Sequence, residues 1–206
     1  DDWFVRLYGK EQILDQRQRS CETLDHFSDI FGDNRAVKLY SAPGRTAVSG
    51  NHPDHNNGTV LAASVTLDVL AVVSINEANT VRLQYPGYPM DHVALSDLEI
   101  KPEEINRSAS LIRGMAKKFT LEGHQIGGFD AYTTSNVLKG SGLSSSAAFE
   151  VLVGTMMSHL FNGGSVDAVE IAKYAQYAEN VYFGKPSGLM DQMASSVGGM
   201  IAIDFA

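Results

Sequence analysis

Residues 140–148 read Gly-Ser-Gly-Leu-Ser-Ser-Ser-Ala-Ala and stand directly before an apolar, alanine-rich run that ends at Leu160. Glycine lets a backbone come close to a ligand, and the first turn of a helix carries N–H groups that lack partners within the helix. Those amides and the positive end of the helix dipole form an anion site, for which phosphate is the usual ligand. A serine-capped helix after a glycine turn is the alternative, because serine is a preferred N-cap. The stretch is not a Walker A loop, since no Gly-Lys-Ser/Thr follows, and it lacks the third glycine of a dinucleotide-binding fingerprint.

The composition indicates an ordinary globular chain of 206 residues, long enough for one large domain or two small ones. The formal charge of −8, without any cluster of Lys and Arg, argues against a nucleic-acid surface. Cys21 is the single cysteine in the sequence, which excludes a disulfide framework and a cysteine-based zinc site. Because the sequence has no run of 18 apolar residues and no signal peptide, we expect a cytoplasmic protein without membrane contact. The strand-like stretch 200–205 ends the chain without a closing element, so we expect a fragment.

The spacing of apolar residues predicts both helices and strands, and therefore an α+β or mixed α/β class. We expect helices at 10–32, 103–119, 147–160, 166–182 and 189–197. We expect strands at 36–40, 80–85, 129–133 and 200–205, and a buried strand pair at 59–74. Residues 42–58 mix turn formers, charges and imidazoles between apolar strands, and such a loop is a common place for function.

Four further features outside the glycine- and serine-rich stretch carry groups that can do chemistry. Arg45 follows a Pro-Gly turn, where a solvated side chain without a role is the alternative. Residues 51–58 offer dense donors and acceptors that suit a polyhydroxylated ligand; zinc would need further His or Cys ligands, and a loop rich in Asx turns is the alternative. Asp191 lies in the apolar run 189–197, and buried carboxylates are rare unless paired or catalytic. Glu179 ends the preceding helical run, where it is either solvated or a metal ligand.

Taken together, these segments resemble the galactokinase branch of the GHMP kinases, a family of sugar and small-molecule kinases. The first family signature is close to A-P-G-R-V-N-L-I-G-E-H-T-D-Y-N, and this chain has Ala-Pro-Gly-Arg at 42–45 and Gly-Asn-His-Pro-Asp-His-Asn at 50–56. The second signature, G-x-G-L-S-S-S-A-A, is intact at 140–148, and the third, G-x-M-D-Q, is intact at 188–192. Two more stretches that look like galactokinase lie between the signatures, at 82–85 and 127–131. The resemblance runs from about residue 19 to the last residue.

The resemblance implies an α+β fold, the GHMP-kinase N-terminal domain, with a mixed sheet and helices on one side. It divides the chain into an N-terminal extension, 1–18, and an ATP- and sugar-binding domain, 19–206. A galactokinase carries a second domain of comparable size after this point, and this chain lacks it, which agrees with the expectation of a fragment.

The same resemblance implies an ATP-dependent kinase that converts galactose to galactose 1-phosphate and uses Mg²⁺. Asp191 is the implied catalytic carboxylate that takes the proton of the anomeric hydroxyl, and Arg45 is the partner that holds it ionised and stabilises charge on the phosphoryl group. Glu179 with Ser145 or Ser146 would bind Mg²⁺, which prefers hard oxygen ligands. The ATP phosphates would lie on the backbone amides of Gly140, Ser141, Gly142, Leu143, Ser144, Ser145 and Ser146. The sugar would contact Asn51, His52, Asp54, Gly188 and Asp191.

Two departures from the family pattern bear on the substrate: Asn51 replaces a Glu, and His55 replaces the usual Tyr. Because that Glu contacts the C6 end of galactose in the family, an amide in its place removes an anion that would repel a C6 carboxylate. Galacturonate is therefore the alternative substrate, and galactose ranks first. A sensor that binds ATP and sugar but signals through a partner is disfavoured by the complete loop and by the presence of Arg45 and Asp191. Homoserine and mevalonate kinases are disfavoured because they lack the His52-x-Asp54 loop.

Overall fold

The structure is a computed structural model that describes residues 2–50, 58–138 and 140–205. The helices are α1 (Asp2–Tyr8), α2 (Ile13–Phe31), α3 (Ser108–Leu121), α4 (Ser145–Phe161), α5 (Ala168–Tyr177) and α6 (Met190–Val197), and a π-helical turn, Ala178–Phe183, follows α5. The strands are β1 (Lys38–Ser49), β2 (Thr59–Ile75), β3 (Thr80–Gln84), β4 (Asp91–Ala94), β5 (Phe129–Ser135) and β6 (Met200–Asp204). The expected helices are present, as are the strands expected at 36–40, 80–85, 129–133 and 200–205, and α1 and β4 occur in addition.

The strands form one mixed sheet in the order β1-β2-β5-β3-β4, with β6 paired to β2. β3 and β5 are parallel, and the other pairs are antiparallel. The mixed sheet implied by the resemblance is thus confirmed.

Two expectations about β1 and β2 are wrong. The stretch 59–74 belongs to a single 17-residue strand, because no Gly, Pro or Asn interrupts it. The first part of this strand pairs with β6 and the second part pairs with β5. Residues 42–49, expected as part of a loop, extend β1 instead, and they pair with β2 as far as Ser49. β1 tolerates Pro43 because it is an edge strand, and the pairing shifts register between Pro43 and Arg45.

The main core fills one face of the sheet and contains residues of α3, α4 and α5 together with Ala71, Val73 and Ala131. The neighbouring strand residues Val72 and Tyr132 point to the other face, since side chains alternate along a strand, and there they pack against Phe27 of α2. The expectation of helices on one side therefore needs a correction, because α2 covers the opposite face.

The N-terminal helices are tied to the sheet through the buried carboxylate of Asp68 on β2. It accepts hydrogen bonds from Tyr8, from Ser41 and from the guanidinium of Arg19. α2 is continuous through residue 18. The division between an extension and a domain at that residue stays a prediction, as does a second domain beyond the chain.

None of the helices in the described part of the chain is long and apolar enough to cross a membrane.

Candidate active site

The glycine- and serine-rich stretch forms a loop that leads into α4. Gly140 and Gly142 have φ angles of 81° and 79°, which glycine adopts without strain. Ser144 is the N-cap residue in a left-handed conformation, and its side chain makes no capping hydrogen bond. The amides of the first helical turn are thus left without the side-chain acceptor that a serine cap would supply, which argues against the alternative of an ordinary capped helix.

Arg45 and Asp191 form an ion pair beside this loop, although they are far apart in sequence. Nε of Arg45 lies 2.6 Å from Oδ1 of Asp191, and Nη2 lies 2.7 Å from Oδ2. Arg45 comes from β1, just past the register shift, and Asp191 lies in the first turn of α6. The Arg45 side chain is 10% exposed and that of Asp191 is 28% exposed, so the pair lies at the edge of solvent. Bidentate pairing of this kind fixes the orientation of both side chains.

The loop is attached directly to this pair. Nη1 of Arg45 donates to the carbonyl of Gly142 at 2.7 Å, and the backbone N–H of Arg45 donates to the carbonyl of Leu143 at 3.0 Å. The hydroxyl of Ser144 donates to Oδ2 of Asp191. A Cβ at Gly44 would lie 2.9 Å from the Leu143 carbonyl, so glycine is needed for β1 to come this close.

Glu179 approaches the same helix terminus from the π-helical turn, and its side chain is 2% exposed. The hydroxyl of Ser146 donates to Oε1 of Glu179 at 3.1 Å. Of the two serines considered as partners of Glu179, the described structure gives this contact to Ser146. The helix expected at 166–182 is α-helical from Ala168 to Tyr177 and continues as a π-helical turn that carries Glu179. Such turns are frequent at functional sites.

Comparison with known proteins identifies the family. A model described as "GHMP kinases N terminal domain" matches residues 110–199, and one described as "Galactokinase galactose-binding signature" matches residues 25–75. The chain is 33% identical over 177 residues to the galactokinase of Clostridium tetani and 34% identical over 178 residues to that of Lactococcus lactis subsp. cremoris. These alignments cover 86% and 84% of this chain, and 45% and 44% of the relatives. This chain belongs to the GHMP kinases.

Solved structures agree with this membership. A crystal structure of Lactococcus lactis galactokinase complexed with galactose matches with a TM-score of 0.82 at 30% identity, over 90% of this chain and 49% of that chain. The mevalonate kinase of Methanococcus jannaschii matches with a TM-score of 0.68 at 16% identity, over 82% of this chain and 54% of that one, which shows a shared fold. This GHMP kinase chain thus corresponds to the N-terminal region of galactokinases, and it spans less than half the length of the curated relatives named here.

Three polar residues of this GHMP kinase chain surround Glu179 without having been assigned a role from the sequence. Nε2 of Gln192 donates to Oε2 of Glu179 at 2.8 Å and to Oε2 of Glu150 at 3.2 Å. Nζ of Lys185 lies 2.9 Å from Oε1 of Glu179. Glu150 is the only carboxylate in the apolar run 147–160, and Lys185 stands between Gly184 and Pro186 where the helical pattern breaks. These two sequence signals could have identified them.

The surroundings of Glu150 disfavour the charged form of its carboxyl group. Burial, and after it the charge of Glu179, raises the pKa of the Glu150 carboxyl well above its ordinary value. Oε1 of Glu150 and Oε1 of Gln192 are buried and have no hydrogen-bond partner among the described atoms. A neutral carboxyl group beside Gln192 is therefore the form that this environment favours.

The residues expected to contact the sugar are only partly described. Asn51, His52 and Asp54 lie outside the described residues. Gly188 lies between the π-helical turn and α6, three positions before Asp191, in a segment that Asn180 fixes through the backbone N–H of Ser187. Among the described residues, no group of three or more His, Cys, Asp and Glu side chains is arranged to hold a metal ion.

Proposed function

We propose that this chain is the N-terminal part of an ATP-dependent kinase that converts galactose and ATP to galactose 1-phosphate and ADP. The observation that carries the proposal is the bidentate ion pair of Arg45 and Asp191, which hydrogen bonds join to a glycine- and serine-rich loop at the start of a helix. The pair supplies a carboxylate and a fixed positive charge, and the loop supplies amides for phosphate. Phosphoryl transfer needs little more from a protein than alignment and charge stabilisation.

The phosphates of ATP are proposed to lie on the backbone of Gly140–Ser146 and on the first turn of α4. Two features support this position. The Ser144 side chain is engaged with Asp191 and does not cap the helix, and the glycines at 140 and 142 are exposed. An anion at this position also receives the favourable field of the α4 dipole.

The reaction that we propose places Asp191 at the anomeric hydroxyl of the sugar. The carboxylate accepts the hydroxyl proton as the sugar oxygen bonds to the γ-phosphorus, and the bond from that phosphorus to the bridging oxygen breaks to release ADP. Arg45 is positioned to compensate negative charge on both the carboxylate and the phosphoryl oxygens, because its guanidinium spans Asp191 and the loop carbonyl of Gly142.

The oxygen donors fit Mg²⁺ as the metal of this reaction. Ser146 and Glu179 place a hydroxyl and a carboxylate oxygen 3.1 Å apart at the helix terminus, and hard oxygen donors completed by substrate phosphates are what Mg²⁺ prefers. We propose these two residues as its ligands, with Ser145 as the alternative serine. The bound ion would neutralise charge on the phosphate oxygens.

Galactose is the proposed sugar, in keeping with the galactose bound to the Lactococcus lactis relative. Its contacts are proposed to come from Asn51, His52, Asp54, Gly188 and Asp191. The hypothesis of galacturonate depends on Asn51.

The experiment is steady-state phosphorylation of galactose and of galacturonate by the protein expressed from its complete coding sequence. ADP release and ³¹P NMR of the sugar phosphate are recorded. We expect galactose 1-phosphate to form with a higher kcat/KM than any galacturonate product. The opposite preference would make galacturonate the substrate and would leave the assignment as a sugar kinase unchanged. Binding of ATP and galactose without turnover of either sugar would overturn the kinase assignment in favour of a sensor.

A further inference from the structure

The side chain of Lys185 lies on the oxygen of Glu179 that the proposed metal would use. Oε1 of Glu179 accepts a hydrogen bond from Ser146 at 3.1 Å and lies 2.9 Å from Nζ of Lys185. Oε2 of the same carboxylate is taken by Gln192. The ammonium of Lys185 and the hydroxyl of Ser146 therefore converge on one atom.

The ammonium compensates a charge that is otherwise hard to bury. The Glu179 side chain is 2% exposed, and a buried carboxylate is strongly unfavourable unless it is paired and hydrogen-bonded. Ser146 and Gln192 donate hydrogen bonds but carry no charge, and Glu150 is an acid. Among the described residues, Lys185 is the cation that forms an ion pair with Glu179.

Lys185 lies where its side chain can move away from Glu179. Its side chain is 56% exposed, in contrast to the nearly buried carboxylate that it contacts. It lies in the irregular segment between the π-helical turn and α6, after Gly184 with a φ of 83°. A lysine side chain that lies 2.9 Å from a carboxylate oxygen pairs with it as an ammonium. A strongly hydrated ammonium on a flexible stem exchanges more readily than an arginine.

We propose that the Lys185 ammonium occupies the cation position on Glu179 in the metal-free protein, and that it must leave this oxygen when a divalent cation binds. The inference rests on the proposed role of Glu179 as a metal ligand. A divalent ion on Oε1 and an ammonium on the same atom would lie within about 4 Å of one another, where their repulsion amounts to several kcal/mol at an effective dielectric constant near 20. Lys185 thus orients the Glu179 carboxylate before the metal arrives, and it weakens the intrinsic affinity of the site for the metal.

The test is an equilibrium titration with Mn²⁺ alone, which replaces Mg²⁺ at oxygen sites and is detected by electron paramagnetic resonance. The protein expressed from its complete coding sequence is compared with Lys185→Met, which has a similar length and no charge, and with Lys185→Arg, which retains the charge. Lys173→Met is the matched control, because Lys173 is an exposed lysine of α5 and its loss changes the net charge equally. Glu179→Gln reports whether Glu179 binds the metal at all.

We expect Lys185→Met to lower the dissociation constant for Mn²⁺ by about tenfold, a value for a partly buried ion pair. Lys173→Met should leave it near the wild-type value, Lys185→Arg should leave it unchanged or raise it, and Glu179→Gln should remove saturable binding. Thermal unfolding gives a second readout: without metal, Lys185→Met should unfold at a lower temperature than wild type, and Mn²⁺ should stabilise this variant more than wild type.

Two results would overturn the inference in distinguishable ways. If Glu179→Gln removes binding but Lys185→Met leaves the dissociation constant unchanged or higher, Glu179 binds the metal and the exchange with Lys185 is refuted. If Glu179→Gln binds Mn²⁺ as the wild type does, or no protein in the series binds it, the metal assignment of Glu179 fails and the exchange fails with it.

Discussion

Two pairs of arginine and aspartate in this chain have the same geometry and different surroundings. In the first pair, Nε and Nη2 of Arg45 lie 2.6 and 2.7 Å from the carboxylate oxygens of Asp191. In the second, the corresponding atoms of Arg82 lie 2.6 and 2.7 Å from those of Asp130. Bidentate pairing by itself therefore does not distinguish a reactive carboxylate from a structural one.

The surroundings make the distinction. Asp130 lies on β5 with none of its side chain exposed, and Arg35 and Asn76 add hydrogen bonds to its two oxygens. Asp191 is 28% exposed, and the hydroxyl of Ser144 in the glycine- and serine-rich loop also donates to it. A carboxylate enclosed by arginines holds a sheet together, whereas one at the edge of solvent beside the start of α4 can meet a substrate.

The largest effect on stability is expected from Asp130→Asn. The substitution removes the charge that compensates two guanidinium groups, and breaking a buried ion pair costs about 3–5 kcal/mol. The free energy of unfolding from urea titration should fall by this amount. Burial alone would raise the pKa of Asp130, but hydrogen bonds from Arg82, Arg35 and Asn76 bring it below the ordinary value of 3.8.

The pH dependence provides a control for this substitution. Because the folded pKa of Asp130 is lowered, its contribution to stability is complete above the unfolded value near 3.8 and is lost as the pH falls through the folded value. The variant should therefore lose less stability in acid than the wild type. Equal losses in acid would contradict the assignment.

The next largest effect is expected from Arg45→Lys, and it should appear in catalysis. Lysine retains the charge but cannot bridge both oxygens of Asp191 and the carbonyl of Gly142 at once. We expect kcat to fall about 100-fold, equivalent to about 2.7 kcal/mol of transition-state stabilisation. Steady-state kinetics measure this loss, and the free energy of unfolding should change by less than the kinetic effect. A kcat near the wild-type value would remove Arg45 from the reaction.

Glu150→Gln should change the pH dependence of stability. Because the folded pKa of Glu150 is raised above 4.5, the unfolded chain releases this proton first, and stability falls as the pH rises above about 4.5. An uncharged amide removes that loss, which reaches about 1.4 kcal/mol per pH unit while the folded group stays protonated. Urea titrations between pH 5 and pH 7 should show a flatter profile for the variant. Parallel profiles would show that Glu150 is ionised in the folded protein.

The smallest effect is expected from Arg82→Lys, the same substitution in the second pair. Arg35 and Asn76 remain on Asp130, and the Arg82 side chain is 38% exposed, so we expect a loss of about 1 kcal/mol of stability. The kcat should remain at the wild-type value, unlike that of Arg45→Lys. A large loss of kcat in this variant would erase the distinction between the two pairs.

The sequence predicted the parts of the fold that depend on local patterns. The helical spacing, the strand β5 that precedes the loop, and a helix after the serine run follow from periodicity and capping preferences, although that helix begins at Ser145 and not at the predicted Ala147. The length of β2 was misjudged because a long strand and a strand pair share one apolar pattern, and only the lack of turn formers between residues 59 and 75 distinguishes them. The position of α2 on the second face depends on which residues of β2 and β5 point away from the core.

The candidate site was predictable mainly through the resemblance to galactokinases, because the residue types alone left a solvated side chain as the alternative for Arg45 and Glu179. The structure brings Arg45 and Asp191 into contact. The choice among three adjacent serines was not predictable, because it depends on the left-handed backbone of Ser144, which turns its hydroxyl toward Asp191 and leaves Ser146 to face Glu179. Lys185 and Glu150 were missed because their importance depends on burial and partners.

The most direct test of the proposed function is the rate of galactose 1-phosphate formation by Asp191→Asn, followed by ³¹P NMR in the protein expressed from its complete coding sequence. The amide retains the shape of the carboxylate but cannot take up the proton, and the affinity for an ATP analogue verifies that the nucleotide site is intact. We predict a rate about 1,000-fold below that of the wild type. A rate within tenfold of the wild type, with the fold and nucleotide affinity unchanged, would contradict the assignment of Asp191 as the reacting carboxylate.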